Sequence, residues 1–299
     1  MIENGIVQRG KLCSEKQWKQ TIATLQRNAT GLFTEKEKAK AVLKEIQVQA
    51  IARRTEHKKH FGIFFSGGLD SSFLALVCKQ LKKKFTCYTV GLEGARDVEY
   101  AKRVAKQLQF PLKMKILSLK EAEKIILKTM QIVPRHDVVT VGIASVVVAA
   151  LELAKKDKVK IFFSGLGAEE IFAGYERHAK APDINAECWN GLRNMWEMDF
   201  IRDYAVGMQY GITLLTPFLD KEVINIAMQV PGEWKWNKEE KKIILREIAE
   251  ESGLPKACAW RKKQAAQYGS NMDKALEKLA KQHGFAYKKD YLAAMAKTL

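Results

Sequence analysis

The 299-residue chain is predicted to fold as an α/β protein, a parallel sheet with helices on both faces followed by a mainly helical C-terminal part. Three observations predict this: short apolar runs alternate with amphipathic stretches of helical period between residue 61 and about residue 190; glycine-rich turns follow two of those runs; and strand signals fade beyond them. An apolar fraction of 47% is ample for a packed core in one large or two modest domains.

Residues 1–33 are polar and weakly patterned, and Thr34-Glu35-Lys36-Glu37 reads as a capping box that opens a helix to about Arg54. Residues 1–60 are thus expected to form an N-terminal helical arm. Phe61-Gly62-Ile63-Phe64-Phe65 is an apolar strand running into two glycines, with a helix following from Ser71 to Leu81. A second strand is expected from Phe85 to Gly91. The helix after it, from Asp97, sets Val98, Ala101, Val104, Ala105 and Leu108 on one face. A third strand over Leu112–Leu117, helices over Leu119–Gln131 and Gly142–Lys155, and a buried strand over Val159–Phe163 complete an α/β core over residues 61–190. Residues 191–299 then read as a helical portion packed on that core. Its helices are expected around Leu192–Met208, Lys221–Met228 and Glu239–Glu251, the last stopped by Gly253 and Pro255, with a lysine-rich amphipathic tail after Asn271.

The richest apolar stretch, Val138 to Leu153, falls short of about 18 residues and ends among Glu152 and Lys155, so no membrane span is expected. Glu3, Asn4 and Gln8 are polar where a signal peptide is greasy, and a cytoplasmic location is expected. The five cysteines include no Cys-x-x-Cys pair, and the five histidines have no ligand spacing; they read as reduced buried thiols and as surface or satisfied core imidazoles. A formal charge of +17 raises affinity for polyanions through phosphate contacts, although Arg53-Arg54 and Lys58-Lys59 alone read as a solvated helix end.

Ser66-Gly67-Gly68-Leu69-Asp70-Ser71-Ser72 lies directly between a buried strand and a helix. Glycines let backbone amides approach an anion, serine hydroxyls donate hydrogen bonds, and the helix N-terminus adds positive potential. Asp70 suits such a loop only if Mg²⁺ bridges it to phosphate, a carboxylate oxygen being a hard ligand. No Gly-x-x-x-x-Gly-Lys-Ser/Thr loop occurs.

At these residues the chain resembles the PP-loop ATP pyrophosphatases. Ser164-Gly165-Leu166-Gly167-Ala168-Glu169-Glu170, Ala173-Gly174-Tyr175, Thr216-Pro217-Phe218-Leu219-Asp220 and Ala259-Trp260-Arg261-Lys262-Lys263 narrow the resemblance to the synthetase domain of glutamine-dependent asparagine synthetases. Within that family it is most similar to the asparagine synthetase domain-containing proteins, which share an aromatic-Gly-Ser ending like Gln267-Tyr268-Gly269-Ser270. The resemblance implies a HUP-like, adenine nucleotide alpha hydrolase-like fold in which Ser66 to Ser72 grip pyrophosphate and Phe64 and Val90 meet adenosine through the backbone. Ser164 and Gly165 would border adenine and ribose. Asp70 and Glu169 would share magnesium, and Lys263 would stabilise charge on the α-phosphate. Gly142, Leu166 and Asp220 are expected around the acceptor.

The departures from that pattern are informative. Leu166 stands where asparagine synthetases carry a glutamate, and Gly142 where an arginine is expected, so free aspartate would lack partners for its charges. Nothing before Ser66 matches a glutaminase with an N-terminal nucleophilic cysteine, residue 2 being Ile2. Ammonia from solution, a separate glutaminase or another amine is expected to supply nitrogen. The expected activity is adenylylation of an acidic or carbonyl acceptor by ATP and Mg²⁺, then C–N bond formation. Two alternatives stand beside it: adenylylation of a base in tRNA, and a non-catalytic nucleotide-binding scaffold.

Overall fold

The computed structural model describes residues 6–8, 11–262 and 264–299. Strands β1 (Val7–Gln8) and β2 (Lys11–Leu12) form a short antiparallel hairpin. Helix α1 (Glu15–Asn28) follows, in a segment that the sequence pattern left featureless. Its start is a capping box: the Gln17 amide donates to Ser14 Oγ at 3.2 Å and the Ser14 amide to Gln17 Oε1 at 2.8 Å. Trp18 and Ile22, one helical turn apart, are buried, and Trp18 Nε1 donates to the Leu192 carbonyl at 2.7 Å. So narrow an apolar stripe is lost in a polar average. Helix α2 (Lys36–Thr55) begins after Glu35, which makes no side-chain cap, so the box read at Thr34 does not form. Lys36 and Lys40 tie α2 to Glu247 and Glu251 instead, at 2.6 and 2.5 Å.

The core is one parallel sheet of β3 (Phe61–Phe64), β4 (Phe85–Leu92), β5 (Leu112–Leu117), β6 (Ile161–Phe163) and β7 (Thr213–Leu215), in the order β5-β4-β3-β6-β7. Strand β7 was not legible in the sequence: three residues are too few to show a period, and only the pairing of Thr213, Leu214 and Leu215 with Ile161, Phe162 and Phe163 defines the strand. Because β3 has β4 on one side and β6 on the other, the strand order reverses there. In open α/β sheets ligands bind at that crevice, outside the carboxyl ends of the strands.

Helices α3 (Leu69–Gln80), α4 (Arg96–Leu108), α5 (Leu119–Met130) and α6 (Val138–Ala154) cover the sheet. Helix α6 starts earlier than its periodicity suggested, because Asp137 accepts from the amides of Val139 and Thr140 at 3.1 and 2.9 Å. The stretch Val138–Asp157 is long and apolar enough to cross a membrane by composition; here α6 packs on β4, α5 and the C-terminal helices. Phe61 meets Phe163 edge-on at 5.1 Å and Phe64 stacks on Phe162 at 4.9 Å, and an added Cβ at Gly62 would fall 2.3 Å from the Phe162 ring. All five cysteines are buried and free.

The C-terminal part is helical apart from β7. Short helices α7 (Ala168–Ile171) and α8 (Glu176–Ala179) lead to α9 (Ile184–Met195) and α10 (Ile201–Tyr210), separated by one π-helical turn over Trp196–Phe200. Then come α11 (Lys221–Met228), α12 (Ile243–Glu251), α13 (Lys256–Ala259), α14 (Ala266–Gly269), α15 (Met272–Gln282) and α16 (Lys288–Ala296). The expected start of α12 at Glu239 slips to Ile243, because Lys242 takes a left-handed backbone, φ 56°.

Candidate functional site

Strand β3 ends in Phe64, and the chain turns through Ser66, Gly67 and Gly68 into α3, whose first turn carries Leu69 to Ser72. Gly67 has φ 63°, and a Cβ there would lie 2.5 Å from the Ala101 amide nitrogen, so the loop is seated directly on α4 and tolerates no side chain. The Ser66 amide donates to Ser71 Oγ and the Gly68 amide to Ser66 Oγ, each at 3.3 Å. The loop is therefore pre-formed by weak bonds that an anion can replace. Around it stand half-buried Phe64, buried Val90 near the end of β4, and Ser164 and Gly165 just after β6. The sequence-predicted nucleotide residues thus converge on the carboxyl ends of three adjacent strands.

Asp70, on the first turn of α3, is buried. Both its carboxylate oxygens accept from Lys242 Nζ at 2.9 Å, and the same ammonium lies 3.0 Å from Glu169 Oε1. Glu169 belongs to α7, which starts immediately after the Ser164–Gly167 loop. Close packing makes the convergence possible: a Cβ on Gly165 would fall 3.0 Å from Asp70 Cβ, and one on Gly174 would fall 1.6 Å from Glu169 Oε2 and 2.5 Å from Lys242 Cε. Asp70 and Glu169, expected together from the sequence, are together. Lys242 was not anticipated; next to Lys241 it reads as a solvated charge run. The available signal was its place just before the apolar helix Ile243-Ile244-Leu245, which buries whatever precedes it. Lys263 lies outside the described residues.

Two buried arginines brace the cluster. Arg246, one turn beyond Lys242, gives Nε to the Lys241 carbonyl and an Nη to the carbonyls of Ala259 and Arg261, at 2.6, 2.6 and 3.1 Å. Burial pulls its guanidinium below the ordinary range, and the carboxylates of Glu240, Asp70 and Glu169 act in the opposite direction. Arg261 donates to the Ser66 carbonyl at 2.8 Å and to Asp97 at 2.5 Å while lying 3.9 Å over the Tyr100 ring. It clamps the entry of the Ser66–Ser72 loop to α4. Behind Glu169, Glu170 is buried and accepts from the Tyr175 hydroxyl at 2.9 Å; burial first, and Asp199 second, push its carboxyl up to about 7.

The residues expected around an acceptor are dispersed. Leu166 is half-buried, its amide donating to Ser164 Oγ at 3.2 Å. Gly142 lies in α6 against Gln267, where a Cβ would fall 3.1 Å from that side chain, so a larger residue would have to push Gln267 aside. Asp220 caps α11 and pairs with Arg54 at 2.7 Å and Arg53 at 3.2 Å, lining a separate cleft with Ile161 and Thr213 at the starts of β6 and β7. Its charge is neutralised there, away from Asp70. Among the histidines, His178 is neither on the surface nor fully satisfied: it is buried with no partner on Nε2.

The family model for asparagine synthase matches residues 43–189 and 179–291. A Methanocaldococcus jannaschii protein, named provisionally as a glutamine-hydrolyzing asparagine synthetase, is 31% identical over 291 residues, covering 85% of this chain and 53% of that one. The asparagine synthetase 1 of Lotus japonicus is 30% identical over 236 residues, covering 72% and 40%. The chain therefore spans about half the length of the curated relatives it matches. Among solved structures, the NMN synthetase from Francisella tularensis covers 88% of this chain at 12% identity with a TM-score of only 0.43, too slight a likeness to carry an argument. With the family model spanning both the sheet and the C-terminal helices, the chain belongs to the asparagine synthase family.

Proposed function

We propose that the chain is an ATP-dependent ligase that adenylylates a carboxylate or carbonyl oxygen of its acceptor, releases pyrophosphate, and lets ammonia or another amine displace AMP. The observation that carries this reading is the meeting of Asp70, Glu169 and Lys242 beside a glycine-serine loop at the switch point of the sheet. Family membership supports the ATP half of the reaction.

In this reading the amides and hydroxyls of Ser66 to Ser72 hold the β- and γ-phosphates, with the start of α3 adding positive potential. Lys242, already placed by two carboxylates, turns its ammonium to the polyphosphate and offsets negative charge that grows as the bond to the α-phosphate breaks. The Asp70–Glu169 pair fits Mg²⁺, since two hard carboxylate ligands converge on one cationic point and phosphate oxygens can fill the remaining positions. Bound there, the metal would neutralise phosphate charge. Phe64, Val90, Ser164 and Gly165 orient the nucleoside. Leu166 and Gly142 leave the acceptor side without the charges that free aspartate needs, so an acceptor lacking a second carboxylate is expected.

ATP–pyrophosphate exchange over a panel of carboxylic acids tests the proposal. At least one acid should drive exchange, and Asp70→Ala should abolish it. No exchange with any acid, together with unchanged ATP binding by Asp70→Ala, overturns the reading.

A further inference from the structure

The surplus charge of +17 has a location in the fold. Since all five strands run the same way, the turns that feed them gather at one end of the sheet, opposite the Ser66–Ser72 loop. Lys58 and Lys59 precede β3, Lys82 to Lys84 precede β4, and Lys155, Lys156, Lys158 and Lys160 precede β6. All but Lys83 are exposed. Lys160 donates to the Tyr210 carbonyl at 3.3 Å, and among the described residues none of the nine makes an ion pair. The acidic residues in these turns are Glu56 and Asp157, and Asp157 is taken up by Lys113 and by the Tyr88 hydroxyl.

Two further features separate this row from an ordinary solvated surface. Lys82 and Lys158 both sit in left-handed backbone, φ 53° and 54°, where turn chemistry alone favours glycine or asparagine. Beside the row, between the end of α2 and the starts of β6 and β7, lies a cleft of about 450 Å³ in which Arg53 and Arg54 are paired with Asp220 and, of the described residues lining it, Lys58 alone adds unpaired charge.

We propose that this end of the sheet docks the backbone of an A-form RNA stem. Lysine ammoniums are point charges suited to phosphates without reading sequence. The exposed large apolar side chains of the molecule lie outside these turns, so nothing here would insert into a lipid surface. No Phe, Tyr or Trp stands in the lysine-bearing turns to stack unpaired bases, and no helix projects from this end to enter the major groove of B-form DNA. The starts of β4, β3 and β6 are neighbours about 4.8 Å apart, so the lysines form a row of roughly 10 Å, short enough to lie across a wide, shallow minor groove flanked by phosphates. The face points away from the nucleotide loop, so RNA bound here is a tether and not the adenylylated acceptor. The inference stands apart from the ligase reading.

Fluorescence anisotropy with the full chain and a labelled 20-base-pair RNA stem, about 20 base pairs being enough to cover the row, tests it. The variant K155E/K156E/K158E should bind at least about tenfold more weakly, with the slope of log affinity against log salt smaller by about 2 to 3. K82E/K84E, on another turn, should move both quantities the same way. The control K16E/K19E/K278E, equal in charge to the first variant but on α1 and α15, should stay within about twofold of the parent. ATP–pyrophosphate exchange should be unchanged in all three variants. Equal weakening by the control, tighter binding of a B-form DNA duplex, or binding to anionic phospholipid vesicles without binding to RNA would each overturn the assignment.

Discussion

Lys242 and Asp70 form a bidentate buried pair, with Nζ 2.9 Å from each carboxylate oxygen and both side chains largely withdrawn from water. Such a pair holds potential for chemistry rather than stability, because desolvation consumes much of the Coulomb attraction. Removing one partner is costly all the same. Lys242→Met should lower unfolding stability by about 3 kcal/mol, seen as a lower urea midpoint at unchanged slope. It should also cut turnover by about 10²–10³-fold. In Lys242→Met/Asp70→Asn the stability loss should be well below the sum of the two single losses, which a double-mutant cycle measures.

Gly174 is the space in which Glu169 and Lys242 meet. A methyl at 1.6 Å from Glu169 Oε2 has nowhere to go, so Gly174→Ala should displace the carboxylate. Turnover is expected to fall about 10²-fold while circular dichroism stays that of the parent, since the displaced group is the end of a side chain and not backbone.

Arg261 acts on the loop through the Ser66 carbonyl and Asp97. Arg261→Gln should raise the KM for ATP about tenfold and change kcat less, because its bond to Ser66 pre-forms the loop in free enzyme. Arg261→Lys should recover only part of the loss, since one ammonium cannot span both acceptors and stack on Tyr100. Equal loss in kcat and kcat/KM would assign Arg261 to the reacting phosphate instead.

Burial, above all, lowers the pKa of His178 to about 4, below the usual 6.5, and its Nε2 has no partner to hold a proton. The unfolded chain therefore binds more protons than the folded one between those values. His178 contributes stability that is complete above about pH 6.5 and is lost as pH falls toward 4. Chemical denaturation of the parent and of His178→Gln across that interval should show the difference between them changing by up to about 1.4 kcal/mol per pH unit, then levelling above pH 6.5.

Legibility of this protein in its sequence follows the strength of local signals. The strand–loop–helix at Phe61 to Leu81 and the alternation after it were readable, because a buried parallel strand is a continuous apolar run and its glycines mark the turn. Helix α1 was hidden because Trp18 and Ile22 are isolated among charges, and β7 because three residues carry no period. Asp70 and Glu169 could be named from motifs. Their joint partner could not: what makes Lys242 different from Lys241 is its burial by tertiary packing, 172 residues from Asp70 in the chain. Asp220 shows the converse, a residue in a recognisable motif whose charge is absorbed by Arg53 and Arg54.

The central claim is that ATP is cleaved between its α- and β-phosphates. Phosphorus NMR of the whole 299-residue chain turning over ATP with Mg²⁺, an active acid and ammonium tests it most directly. The account predicts AMP and pyrophosphate appearing in equal amounts, absent in Asp70→Asn; ADP with inorganic phosphate as the products would contradict it.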